Sequence, residues 1–133
     1  MSIAIFKNIN IPAWTFQGIT VQQEWLKNNV LYGNYGNRVI NKIIDILHVY
    51  IPIKNQSVLV LGSVRPWLEV ILLSLGASHI TTLEYNPYPS SHPNISTVSP
   101  VDFAKIVQSD KTPLYDAMIS FSSLEHSGLG RYY

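Results

Sequence analysis

The sequence predicts an α/β protein whose mostly parallel sheet is covered by helices on both faces. From residue 57 onward, short apolar or β-branched runs alternate with helical patterns, which is typical of strands joined by crossover helices. The first run, residues 58–61, is apolar at every position, as expected of a central parallel strand that is buried on both sides. Proline and glycine mark the ends of the helix that follows, with Pro66 in its first turn and Gly76 at its C-terminus.

The N-terminal part of the chain shows no steady hydrophobic period over residues 1–19, which contain Pro12 and Gly18. We therefore expect an extended lead-in. Thr20, followed three residues later by a glutamine, matches a capping box, in which side chains satisfy the free N–H groups of a helix start. This pattern predicts a helix over about residues 21–31 that buries three apolar side chains: Val21, Trp25 and Leu26.

A stronger helix is predicted over residues 38–50, where apolar residues recur at three- and four-residue steps and form one wide stripe. The members of this stripe are Val39, Ile40, Ile43, Ile44, Leu47 and Tyr50. Pro52 ends the helix. We accordingly divide the chain into a lead-in with its helix, residues 1–34, and a main α/β domain, residues 35–133.

The main domain is predicted to contain four strands, over residues 57–61, 79–84, 95–98 and 116–121. Its crossover helices are predicted over residues 66–75 and 100–107. Ser99, with Asp102 three residues later, forms a second capping-box pattern. We interpret Asp102 and Asp116 as structural, because the first is a capping acid and the second enters its strand at the end away from the expected site.

Composition excludes several classes of function. Hydrophobic residues make up 47% of the chain and charged residues 13%, which argues against disorder. The net charge of +1 gives no electrostatic reason to expect a nucleic-acid or membrane partner. With no cysteine, disulfides, thiolate nucleophiles and cysteine zinc sites are excluded. The N-terminus lacks a secretory pattern, and a cytoplasmic protein is the default expectation.

Candidate binding residues follow the first two strands. In open α/β sheets, ligands bind beyond the carboxyl ends of the strands, where the strand order reverses. Gly62, Ser63 and Arg65 follow the first strand there, and Glu84 and Tyr85 follow the second. Arg65 and the N-terminus of the next helix suit an anionic group such as a carboxylate. Alternatively, the segment is a tight turn with a solvated arginine, and both interpretations remain open.

Glu84 stands 22 residues after Gly62, close to the spacing of about 20 residues at which an acid meets ribose hydroxyls. NAD and S-adenosylmethionine both carry a ribose diol, so this acid does not choose between them. The turn has Val64, Arg65 and Pro66 where a dinucleotide site has further glycines. This departure favours S-adenosylmethionine, which carries a carboxylate and no pyrophosphate. A solvated acid at a strand end is the structural alternative for Glu84.

Glu125 and His126 follow the fourth strand and carry the candidate acid–base chemistry. They could accept a substrate proton or hold a substrate hydroxyl. A metal half-site is less well supported, because the other three histidines lack the spacing of zinc ligands. The structural alternative is that both residues merely open the next helix.

The sequence resembles class I S-adenosylmethionine-dependent methyltransferases, which have a Rossmann-like fold. The resemblance rests on VLVLGS, on the acid of LEYN and on YDAMISFSSLEH, which is similar to the fourth-strand segment of small-molecule methyltransferases. More closely, SSLEHSGLGRY and the segment from GSVRPW to LEYN resemble a methyltransferase-like family of unknown function first catalogued from nematode proteins, over roughly residues 30–133.

The resemblance implies that residues 62–65 face the methionine part of the cofactor, Glu84 the ribose, and Glu125 and His126 the methyl acceptor. A small molecule or glycan is the expected acceptor. Such sheets have more strands than the four recognised here, so we expect a truncated domain, with possible self-association through an exposed fourth strand. A non-catalytic Rossmann-like binding module is the alternative function, and an NAD-linked or nucleotide-sugar enzyme is disfavoured by the turn.

Overall fold

A computed structural model describes residues 11–31, 36–109 and 113–121. The described residues form four helices and a four-stranded sheet in which every neighbouring pair of strands is parallel. The fold is therefore α/β and consistent with a Rossmann-like architecture, as the sequence predicts. None of the helices within these ranges is long and apolar enough to cross a membrane.

Two helices precede the first strand, and the last strand pairs with the first strand on the side opposite the second strand. Helices α1 (Phe16–Lys27) and α2 (Asn37–Tyr50) come before strand β1 (Ser57–Leu61). Helix α3 (Trp67–Ser74) leads to β2 (His79–Leu83), and β3 (Ile95–Val98) follows without a helix between them. Helix α4 (Pro100–Gln108) then precedes β4 (Ala117–Ser120).

The strand order is β3-β2-β1-β4, so the direction of winding reverses between β1 and β4. Val58 and Val60 of β1 are fully buried, and they pair with β2 on one side and β4 on the other. The predicted bounds of β1 and β3 are confirmed, and those of β2 and β4 are correct to within one residue at each end. The carboxyl end of β1 is therefore the place where a ligand of this fold is expected.

Helix α3 is the central helix of the core. Its residues from Trp67 to Leu72 are all buried, which includes one acidic side chain, Glu69. Gly76 follows the helix with a φ of 91°, a conformation that favours glycine, and it ends the helix as predicted. The cap predicted for α4 is confirmed, since the Ser99 hydroxyl accepts a hydrogen bond from the Asp102 N–H at 3.2 Å.

The bounds predicted for α1, residues 21–31, are wrong at both ends, since the helix also ends earlier, at Lys27. The helix begins at Phe16, and its cap is Thr15, whose hydroxyl accepts the Gly18 N–H at 3.0 Å. Thr20 lies inside the helix and donates its hydroxyl to the Phe16 carbonyl. Gly18 does not break the helix but allows close packing, because a Cβ there would collide with the Pro12 carbonyl oxygen. The buried face consists of Gly18, Ile19 and Gln22.

Helix α2 matches its prediction except at its C-terminal end. Ile40 and Leu47 are buried and Ile43 and Ile44 pack against the same core. Tyr50, which the apolar stripe includes, is 76% exposed. The stripe therefore ends one turn before the helix does. The predicted domain boundary between residues 34 and 35 lies outside the described residues.

Candidate functional site

The turn between β1 and α3, residues 62–66, is the centre of the candidate site. Gly62 has a φ of 75°, a left-handed conformation in which a side chain would be strained. Its N–H donates to the Leu83 carbonyl at 2.8 Å, which extends the pairing of β1 and β2 to their carboxyl ends. The next residue, Ser63, is 6% exposed and turns its backbone N–H away from the sheet ladder.

Glu84 ties this turn to the end of β2. Its Oε2 accepts the Ser63 N–H at 2.9 Å, and its Oε1 accepts the Tyr85 N–H at 2.8 Å. The structure thus brings together Gly62, Ser63, Glu84 and Tyr85, which the sequence places in separate segments. A carboxylate has about four acceptor positions, and these two bonds use half of them. Glu84 is half-buried.

Arg65 is exposed on the same turn, while its backbone carbonyl accepts the Trp67 N–H at 2.9 Å. Within residues 11–31, 36–109 and 113–121, no carboxylate pairs with its guanidinium group. Its charge is therefore available to an anionic ligand at the turn. Pro66 is the N-cap residue of α3 and provides no side-chain cap.

A buried carboxyl group lies beneath the turn. Glu69, in the first turn of α3, is fully buried and contacts two hydroxyl groups. Thr82 of β2 donates its hydroxyl to Glu69 Oε1 at 2.7 Å, and Ser63 Oγ lies 3.0 Å from Oε2. The pKa of Glu69 is raised to about 7, chiefly by burial and to a smaller extent by the nearby Glu84, against the opposing effect of its hydrogen bonds.

The N-terminal segment before α1 packs over the loops at this edge of the sheet. The indole N–H of Trp14, which is 5% exposed, donates to the Val64 carbonyl of the β1–α3 turn at 3.1 Å. The Trp14 carbonyl accepts the Ser90 hydroxyl at 3.0 Å, which connects the segment to the loop between β2 and β3. Two residues further on, at the start of α1, the Phe16 ring stacks on His92 with ring centroids 5.3 Å apart. Trp14 therefore joins two loops of the candidate site.

Glu125 and His126, the predicted acid–base pair, lie outside the described residues. The two aspartates that we interpreted as structural make structural contacts. Asp102 pairs with Lys105 at 3.7 Å in addition to its place at the cap of α4. Asp116 Oδ2 accepts the Ser57 N–H at 2.8 Å, at the end of β1 away from the site. Within the described ranges, no three histidine, aspartate or glutamate side chains cluster as metal ligands do.

Sequence reasoning missed three residues of this region: Trp14, Glu69 and Thr82. A single acid within the apolar stretch from Trp67 to Leu73 was the available signal for Glu69, because a buried carboxyl group requires hydrogen-bonding partners. Thr82 carries no such signal, since threonine is common in strands. Trp14 could not be found from spacing, because its contacts are with residues about fifty and seventy-six positions away.

Comparison with known proteins identifies a family but no activity. No curated protein and no solved structure is significantly similar to the chain. A family model described as Caenorhabditis protein of unknown function, DUF268, matches residues 55–133, which is more than half of the chain. The matched region begins just before β1 and includes the β1–α3 turn, Glu69 and Glu84. The chain therefore belongs to this family of unknown function, DUF268.

Proposed function

We propose that the chain is an S-adenosylmethionine-binding domain of methyltransferase type that acts on a small molecule or glycan. The observation that carries this proposal is the contact between Glu84 Oε2 and the Ser63 N–H at 2.9 Å. This contact joins an acceptor-only carboxylate to a glycine turn, at the carboxyl ends of two adjacent parallel strands. A ribose diol needs such an acceptor, and the two remaining lone-pair positions of Glu84 match its two O–H donors.

Arg65 would hold the other end of the cofactor. S-adenosylmethionine carries a carboxylate, and the exposed guanidinium group provides a forked donor for it on the same turn as Ser63. The turn contains one glycine instead of the three that approach a pyrophosphate, which favours this cofactor over a dinucleotide.

The reaction would be a direct transfer of the sulfonium methyl group to an oxygen or nitrogen of the acceptor. The acceptor's proton passes to Glu125 or His126, and S-adenosylhomocysteine leaves with the electron pair of the broken C–S bond. The protein contributes mainly by holding donor and acceptor in line.

A non-catalytic binding module is the second candidate. One observation favours it: both oxygens of Glu84 already accept backbone N–H groups, so this acid has a structural role that needs no ligand. In such a module the site would bind a nucleoside without methyl transfer. Cofactor binding in the absence of methyl transfer to any acceptor would distinguish it from the enzyme.

Titration calorimetry with two ligands tests the proposed orientation. S-adenosylhomocysteine carries both the ribose and the carboxylate, whereas 5′-methylthioadenosine carries the ribose alone. We expect Glu84→Gln to weaken both ligands and Arg65→Gln to weaken only S-adenosylhomocysteine, by about tenfold or more, because a hydrogen bond to a charged group contributes about 1.5–3 kcal/mol.

The matched control is Glu24→Gln, which removes an exposed carboxylate on α1 that pairs with Lys27 at 3.1 Å. This variant should bind both ligands as the wild type does. The absence of binding by the folded wild-type chain would contradict the proposal. Equal weakening of both ligands by Arg65→Gln would contradict the assignment of Arg65 to the carboxylate.

A further inference from the structure

The hydroxyl group of Ser63 lies within hydrogen-bonding distance of two acceptors, although it has one proton to donate. Ser63 Oγ is 2.7 Å from the Arg65 carbonyl oxygen and 3.0 Å from Glu69 Oε2. A carbonyl oxygen can only accept, so the shorter contact requires the Ser63 proton. The contact with Glu69 is then a hydrogen bond only if the proton comes from the carboxyl group.

The other oxygen of Glu69 is already an acceptor. Thr82 donates to Oε1 at 2.7 Å, and both residues are fully buried. A neutral carboxyl group with its proton on Oε2 satisfies all three contacts, because it accepts once from Thr82 and donates once to Ser63. In an ionised group, the single Ser63 proton could serve either Glu69 Oε2 or the Arg65 carbonyl, which would otherwise keep only the Trp67 N–H as donor, at 2.9 Å. A fully buried carboxylate would also carry the cost of burying a charge.

The charged groups around Glu69 favour the same state. Glu84, at the end of β2, is a like charge and raises its pKa. Helix α1, which packs on α3, carries Glu24 and Lys27, but these are exposed and pair with each other. Arg65 on the turn is exposed. Neither β1 nor the rest of α3 carries a charged side chain.

We propose that Glu69 is a positioning residue of the candidate site, whose neutral carboxyl group donates its proton to Ser63 Oγ and so fixes the β1–α3 turn. The chain of bonds runs from Thr82 through Glu69 and Ser63 to the Arg65 carbonyl. Loss of the proton turns the Ser63 hydroxyl toward Glu69 and leaves the Arg65 carbonyl with the Trp67 N–H as its donor. The conformation of the turn then changes at Ser63, whose backbone N–H donates to Glu84.

A consequence for binding rests on the proposed function. A ligand carboxylate that approaches this turn meets a neutral group beneath it when Glu69 is protonated, and a second negative charge when it is not. We therefore expect S-adenosylhomocysteine to bind the protonated protein more tightly. By linkage, the affinity of the protein for S-adenosylhomocysteine falls by up to about tenfold for each pH unit above the pKa of Glu69.

Backbone amide NMR across pH tests the proposal without any ligand. We expect the Ser63 and Trp67 amide signals of the wild-type chain to shift with a midpoint near neutrality, as Glu69 titrates with a pKa of about 7. Glu69→Gln keeps an N–H donor toward Ser63 and an acceptor for Thr82, so the shift should vanish. Glu24→Gln, the matched control, should keep it.

Thr82→Val is a second variant for the case in which Glu69→Gln does not fold. It removes a hydrogen bond that lowers the pKa of Glu69, so the midpoint should move to higher pH. The proposal is overturned if the wild-type signals do not shift near neutrality. It is also overturned if the shift persists in Glu69→Gln, which would assign it to another group such as His92, or if Thr82→Val leaves the midpoint unchanged.

Calorimetry with S-adenosylhomocysteine at about pH 6 and about pH 8 completes the test. The wild type should lose affinity at the higher pH, and Glu69→Gln should not. Parallel pH dependence in the two proteins overturns the role of Glu69 at the site. If neither protein binds at either pH, the proposed function fails, and the NMR titration still decides whether Glu69 positions the turn.

Discussion

Replacement of Glu69 by glutamine should change how the stability of the protein depends on pH. The pKa of this fully buried acid rises from its ordinary 4.5 to about 7, chiefly because burial disfavours the charged form. The folded state therefore holds a proton that the unfolded chain has released between these values, and stability falls as pH rises through this window. Since each pKa unit corresponds to about 1.4 kcal/mol, the loss is about 3 kcal/mol, and it levels off above about pH 7.

Glutamine imitates the neutral acid and does not titrate, so Glu69→Gln should lack this loss. At about pH 5 the variant should be less stable than the wild type by about 1–3 kcal/mol, because its amide brings one additional buried N–H. At about pH 8 the order should reverse or the gap should close, as the wild type loses about 3 kcal/mol relative to the variant.

Urea unfolding followed by the fluorescence of the three tryptophans measures both proteins at each pH. Burial lowers the pKa of His92, so the folded state loses stability as pH falls below the ordinary value near 6.5. This contribution is common to both proteins and cancels in their difference. A difference in unfolding free energy that stays constant from about pH 5 to about pH 8 would refute the reasoning.

Four further predictions concern the packing around the site and the edge of the sheet. Gly18→Ala should lower the melting temperature although alanine favours helices by about 1 kcal/mol, because the Cβ meets the Pro12 carbonyl; Gln17→Ala, at an exposed position of the same helix, should not. Trp14→Ala should destabilise the chain by about 3–5 kcal/mol in urea unfolding, and an effect below about 1 kcal/mol would show that the indole is not packed as described. Ser99→Ala should cost about 1 kcal/mol through loss of the α4 cap, measured in the same way, whereas no change would mean that the cap is not used in solution. If the chain self-associates through β4, light scattering should detect it, and a charge in Met118→Lys, on a side chain that is 64% exposed, should reduce it; unchanged association in this variant would place the contact elsewhere.

The sheet was predictable because its signals are local. A continuous apolar run specifies β1 as a central strand, and Gly76 and Ser99 mark helix ends by their own chemistry. The start of α1 was not predictable in this way. Thr15 and Thr20 both offer a capping hydroxyl, and the choice depends on the packing of Gly18 against the Pro12 carbonyl, a contact that no local pattern reports.

The candidate site likewise combines contacts that the sequence could predict with contacts that it could not. The proximity of Ser63 and Glu84 follows from parallel pairing of β1 and β2, because their carboxyl ends meet at one edge. The additional function of Glu84, which holds the turn through two backbone N–H groups, depends on side-chain geometry that spacing does not give. The same is true of Thr82, whose importance arises only because Glu69 is buried beside it.

The proposed function requires that the β1–α3 turn and Glu84 together receive the ribose of an adenosyl ligand. Titration of the isotope-labelled chain with S-adenosylhomocysteine, followed by backbone amide NMR, tests it most directly. We expect the Ser63, Glu84 and Tyr85 amides to shift first and most, since they adjoin the carboxylate that is proposed to bind the diol. Saturating shifts confined to residues away from these two strand ends, or no shifts at all, would contradict it.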